Sequence, residues 1–128
     1  MKLKKLTVNF EDERGTIMDI LVHTPKDHAT IIFTKKGGVR GNHYHTHSEQ
    51  SDFLISGKMK ILTQKEGEEI VETIMEPNMH VEMEAREAHT FIALEDSLFI
   101  TFVKGPRGGT DYESDTHRLS VPLHTNYV

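Results

Sequence analysis

The 128-residue chain contains no cysteine. That excludes disulfides, thiolate metal sites and a cysteine nucleophile, so any metal must be held by histidine, carboxylate or amide groups. Long apolar runs are also missing: none approaches the roughly 18 residues that a membrane-spanning helix needs. The N-terminal "MKLKKLTVNF" has lysines but no apolar stretch after them, unlike a secretory signal. A cytoplasmic protein with no membrane partner is expected. Basic charge is in deficit, with 15 Lys and Arg against 20 Asp and Glu, a formal net charge of −5. Sequence-independent nucleic-acid binding needs a basic face, so no nucleic-acid partner is expected. The short cluster Lys2, Lys4, Lys5 reads as the solvated edge of a strand. There is no internal repeat, low-complexity tract or Pro/Ser linker, and the length suits one hydrophobic core. Residues 1–128 are therefore read as a single domain.

What is there is a series of short apolar segments with strand-like alternation, separated by turn residues. "KLTVNF" precedes the charged turn "EDERG", and "TIMDILV" and "ATIIFT" follow, the latter closed by "KKGG". Then come "DFLISG", "KMKILTQ", the hairpin signal "KEGEE", "IVETIM", "MHVEM", "AHTFIAL" and "LFITFV". Helical periodicity is weak throughout. Many short strands at this spacing predict an all-β sandwich or barrel. The tail, residues 104–128, is polar and Gly/Pro-rich at first and is expected to wrap the surface or cross to a partner subunit.

The chemistry-bearing stretch is "GNHYHTHSEQSDFLISG", residues 41–57, with histidines at 43, 45 and 47. On a strand, alternate side chains share a face, so these imidazoles would point the same way. Tyr44 would then face oppositely and pack. Histidine in this pattern can ligate a metal, move protons or simply face water.

The run His-x-His, four residues, Gln, six residues, Gly resembles the first motif of the cupin superfamily, where Glu usually stands at the position of Gln50. "EAREAHTFIAL" supplies His89 where a second cupin motif would carry its histidine, although the usual Pro-x-Gly is absent. The resemblance spans roughly residues 15–103. It implies a double-stranded β-helix, that is a jelly-roll barrel, with His43, His45, Gln50 and His89 as ligands of a divalent transition metal: Zn, Mn, Fe, Ni, Co or Cu. Glu49 would replace Gln50 if the register slipped by one. Such a set leaves positions open for water and substrate, and the amide leaves the metal a stronger Lewis acid than a carboxylate would. The set is similar to that of small cupins that open unsaturated uronate rings.

Beyond the ligands, the alternation that turns Gln50 inward also turns Asp52 and Leu54 inward. A buried Asp is costly unless paired or functional, so Asp52 is a candidate general acid/base or substrate contact; pairing with a cation is the plainer alternative. His47 is a candidate proton carrier at the rim, or solvated surface. Arg40, between Gly38 and Gly41, is placed to hold an anionic substrate group; Arg86 and Lys104 are weaker versions of the same idea. Phe91 and Phe102 are read as core or cavity wall.

"DERGTIMDIL", "VRGNHYH" and the apolar last strand also resemble small cupins of bacterial sugar-nucleotide and surface-polysaccharide synthesis, including 3,4-ketoisomerases and the cupin halves of capsular sugar reductases. These resemblances imply an isomerase or epimerase that acts on a sugar or sugar acid through an enediolate. In the ketoisomerases no metal is used, and His43 and His45 would themselves be the bases. A dioxygenase and a non-catalytic sugar-binding module remain the other classes. A homodimer is the family-level expectation, with Leu6, Val8 and Phe10 as a first strand able to join a neighbour's sheet.

Overall fold

The computed structural model describes residues 1–106 and 114–126. Its strands are β1 (Lys2–Lys5), β2 (Phe10–Asp12), β3 (Gly15–Ile17), β4 (His28–Thr34), β5 (Val39–Tyr44) and β6 (Glu49–Ser56). They continue as β7 (Met59–Gln64), β8 (Val71–Met75), β9 (Met79–Met83), β10 (Ala88–Ala93), β11 (Ser97–Lys104) and β12 (His117–Arg118). A 3-10 turn, Leu123–Asn126, follows. No helix among the described residues is long and apolar enough to cross a membrane.

The strands form two five-stranded sheets, ordered β1-β9-β6-β11-β4 and β12-β5-β10-β7-β8, with β2 and β3 as a separate hairpin. From β4 to β11 the chain crosses between the two sheets at every connection except the β7–β8 hairpin, which is the jelly-roll path of a cupin barrel. The expected fold class holds. Between the sheets lie Leu54, Ile61, Met75, Val81, Phe91 and Phe99, all nearly closed to solvent. Each such side chain contributes roughly 1.5–3 kcal/mol of burial. The alternation of β6 works as read: Gln50, Asp52 and Leu54 are buried on the inner face while Glu49 is exposed.

Three local expectations change, and Leu62 adds a burial that the local pattern does not show. "TIMDILV" is a strand only through Ile17, and the rest is irregular chain. The first strand is Lys2–Lys5, not the Leu6, Val8, Phe10 alternation; its lysines lie on an exposed sheet edge beside β9. Leu62, on the outward side of β7, is fully buried, because Leu123 from the tail joins it with Ala88 and Ile92 in a second apolar cluster. Phe102 faces away from the barrel interior, so Phe91 alone of the two expected wall residues reaches the cavity. Of the tail, residues 107–113 and 127–128 lie outside the described residues; the described part returns to its own barrel, where β12 pairs with β5.

Candidate functional site

His43 lies on β5 directly opposite His89 on β10. The ladder shifts register between His89 and Thr90, and the backbones come so close there that only a residue without a side chain fits at Gly41. Gly41 has φ +95°, and a Cβ on it would lie 2.7 Å from the His89 carbonyl oxygen. Glycine adopts that conformation at no steric cost.

His45 comes in by a different route. β5 ends at Tyr44, so strand alternation does not aim it. A turn follows, built on Asp115 of the returning tail. The Asp115 carboxylate accepts hydrogen bonds from the amides of Thr46 (3.1 Å), His47 (2.9 Å) and Ser48 (2.7 Å), and from the Thr46 hydroxyl (2.6 Å). Burial alone would raise its pKa; the Thr46 hydroxyl and the three amides outweigh that and hold the carboxyl well below its ordinary range. The Asp115 carbonyl then accepts from His45 Nδ1 at 2.8 Å.

The result is a triangle of buried imidazoles. Ring centroids are 4.8 Å apart for His43–His45, 4.8 Å for His43–His89 and 5.3 Å for His45–His89. One nitrogen from each ring can be chosen so that all three lie within 4.8 Å of one another. Backbone carbonyls only accept, so Nδ1 of His45 and Nδ1 of His89, 3.3 Å from the Glu87 carbonyl, carry the protons. Both Nε2 atoms therefore present lone pairs, the tautomer a metal ligand needs and the usual outer support of one. Nitrogens bound tetrahedrally to one ion would stand about 3.4 Å apart, and those of the three rings lie within 4.8 Å of one another. Gln50 lines the cavity with His43 and His89, and its Oε1 is buried with no hydrogen-bond partner among the described residues. The donor set fits a divalent transition metal.

Beside the triangle is a cavity of about 730 Å³, lined by His43, Gln50 and His89 and by the apolar walls Ile32, Phe91 and Phe99. That is room for a sugar with part of a larger substituent. Arg40 lines it too, its guanidinium bridging to β4 through Thr34 Oγ1 (2.8 Å) and the Phe33 carbonyl (3.1 Å). The other candidates fall elsewhere. His47 is exposed and Asp52 is closed to solvent, and neither lines the cavity. Asp52 accepts hydrogen bonds from Thr101 Oγ1 and Gln50 Nε2. Arg86 and Lys104 are exposed and also lie off the cavity.

Two cavity residues escaped the sequence reading. His28 opens β4, and the register carries it across Val103 of β11 to Gln50 of β6 on the same inner face. Arg118 of β12 pairs with His43 and lines the same cavity. Nothing in "DHATIIF" or "THRLS" marks them locally; only the sheet order does.

The family model for the polysaccharide biosynthesis C-terminal domain matches residues 10–115. The chain belongs to that family. No curated protein sequence matches this polysaccharide biosynthesis C-terminal domain. Solved structures do. A 3,4-ketoisomerase from Helicobacter canadensis superposes with a TM-score of 0.78 at 17% identity, over 92% of this chain and 90% of that one. A dTDP-4-dehydrorhamnose 3,5-epimerase from Sulfolobus tokodaii gives 0.72 at 20% identity, over 87% and 72%. The capsular polysaccharide assembling protein CapF of Staphylococcus aureus gives 0.66 at 23%, over 91% of this chain and 33% of its own length. These likenesses establish the cupin fold of the domain.

Proposed function

We propose that the chain is a sugar isomerase or epimerase acting on a nucleotide-linked keto-sugar, with a divalent transition metal held by His43, His45, His89 and Gln50. One observation carries the reading: three buried imidazoles converge, and two of them, His43 and His89, line a substrate-sized cavity that also holds two arginines. The named activities of the structural neighbours, 3,5-epimerisation and 3,4-ketoisomerisation of such sugars, support it. So does the binding of TDP by a 3,4-ketoisomerase of the same fold, QdtA from Thermoanaerobacterium thermosaccharolyticum.

The ion, when bound, supplies positive charge that favours loss of a proton beside a carbonyl. The chain supplies the rest. His28 faces the cavity and is not one of the three converging rings, so it takes and returns the proton. Arg40 and Arg118 hold the anionic part of the substrate at the mouth, Arg40 with its fork already fixed by Thr34. Phe91, Phe99 and Ile32 exclude water from the reacting carbons. The test is incubation with TDP-4-keto-6-deoxyglucose in deuterium oxide: deuterium should enter next to the carbonyl, and a sugar that gains none over long incubation rejects the enzyme reading.

The metal is tested separately, by elemental analysis of wild type and His89→Ala. The variant should lose more than the roughly 10–100-fold that follows removal of an outer partner. Equal, negligible metal in both, with deuterium exchange intact, turns the reading to a metal-free ketoisomerase in which His45 Nε2, already a lone-pair acceptor, is a base. A second copy of the chain is proposed to cover β4, a sheet edge carrying Ile31 at 71% and Phe33 at 52% exposure. Sedimentation should show a dimer that Ile31→Glu dissociates.

A further inference from the structure

Three imidazoles and an amide are all neutral, so a dication among them keeps its full charge in a site largely shut off from water. Uncompensated charge in such a place is expensive. The structure holds a carboxylate one hydrogen bond behind the donor set. Gln50 Nε2 donates to Asp52 Oδ2 at 3.0 Å and Oδ1 at 3.2 Å, and Thr101 Oγ1 donates to Asp52 Oδ1 at 2.6 Å. Asp52 thus stands directly behind the Gln50 amide nitrogen, itself held from the neighbouring strand by Thr101.

We infer that Asp52 is a positioning residue for this centre: it fixes the Gln50 amide with its oxygen toward the cavity and supplies the negative charge the amide lacks. The inference rests on the reading of the centre as a cation site. A carboxylate attracts the amide nitrogen and repels its oxygen, so the pairing decides which end of Gln50 is presented. The presented atom is Oε1, buried and without a hydrogen-bond partner among the described residues. Hydrogen bonds from the amide nitrogen to a charged acceptor also push electron density onto that oxygen, as outer partners do for ligating imidazoles. Residues 50 and 52 share one face of β6, and Thr101 sits opposite Asp52 in register, so the relay is built into the ladder. Asp52 has no exposed surface and does not line the cavity, so it acts through Gln50 and not on substrate.

Cobalt(II) titration followed by its visible absorption tests this in wild type, Asp52→Asn, and Gln50→Glu combined with Asp52→Asn. Asp52→Asn should bind about 10–100-fold more weakly. The double variant, which moves the charge to position 50 and keeps the hydrogen bond with its direction reversed, should recover the loss. Equal affinity in wild type and Asp52→Asn overturns the inference, as does a double variant no better than Asp52→Asn. Wild type that takes up no cobalt overturns the cation reading and this inference with it. Should Asp52→Asn fail to fold, the wild-type Gln50 amide protons decide, assigned by their loss in Gln50→Leu. Two resolved, exchange-protected resonances support the pairing, and rapidly exchanging ones overturn it.

Discussion

His43 and His89 face each other across the β5–β10 ladder with their rings edge to face, centroids 4.8 Å apart. That separation depends on a glycine two residues before His43. Gly41 lets the β5 backbone approach the His89 carbonyl, and the register shift beside it aims both rings at one point.

Gly41→Ala should therefore damage stability and site together. Alanine at a positive φ destabilises by more than about 1 kcal/mol, and here its Cβ would also press on the His89 carbonyl at 2.7 Å. The melting temperature should fall by about 4 °C or more. Metal uptake should weaken in the same variant even at temperatures where it is folded. A variant that melts like wild type would show that the ladder yields at this point without cost.

His28 is expected to be the proton carrier. His28→Gln keeps a polar side chain on β4 but cannot cycle a proton near neutral pH. The turnover rate should drop about 10²–10⁴-fold, with metal content and KM close to wild type. If KM rises while kcat holds, His28 binds substrate and the proton carrier is another group.

The strand sequence and the inward face of β6 were legible because both depend on period-two alternation and turn residues, which are local. His43, Gln50 and His89 followed from that alternation together with the cupin-like spacing. His45 reaches the triangle by a route that strand spacing does not describe: the strand ends before it, and Asp115, seventy residues on, sets its ring. His47 is exposed in the turn that Asp115 holds, which agrees with the solvated-surface alternative. Asp52 was rightly read as buried and polar, but its partners are a threonine on a distant strand and a neighbour two residues back. His28 and Arg118 were invisible because their relevance lies in which strands adjoin, and a single sequence does not state strand order.

His80 gives the fold an acid sensitivity independent of the site. It lies on β9, 5% exposed, opposite Phe53, and its Nε2 has no hydrogen-bond partner among the described residues. Burial lowers its pKa; Glu82 on the same strand opposes this, while Lys26 and Lys4 of the neighbouring segments reinforce it. Protonation is thus easier in the unfolded chain, whose histidine has a pKa of about 6.5. Stability from the neutral ring is complete above that value and is lost as pH falls toward the lower folded-state pKa. The urea midpoint of His80→Gln should accordingly lose less than wild type between neutral and mildly acidic pH. Parallel curves for the two proteins would place the acid sensitivity elsewhere.

Asp115 links the tail to the His45 ring by two separate groups, which makes the link divisible by mutation. Its side chain holds the turn through the Thr46, His47 and Ser48 amides, and its carbonyl holds His45. Asp115→Ala removes the first group and leaves the second attached to a turn that no longer has an anchor. Hydrogen bonds to a charged group are worth about 1.5–3 kcal/mol each, and their loss here is shared among neighbours, so a total destabilisation of about 3 kcal/mol is expected. His45 should lose its fixed tautomer, seen as exchange broadening of its ring nitrogen resonances, while those of His89, held by Glu87, stay sharp. Asp115→Asn keeps one acceptor oxygen but not the charge, and should fall between the two. If His45 stays as ordered in Asp115→Ala as in wild type, strand β12 alone positions the ring and the carboxylate serves the turn only.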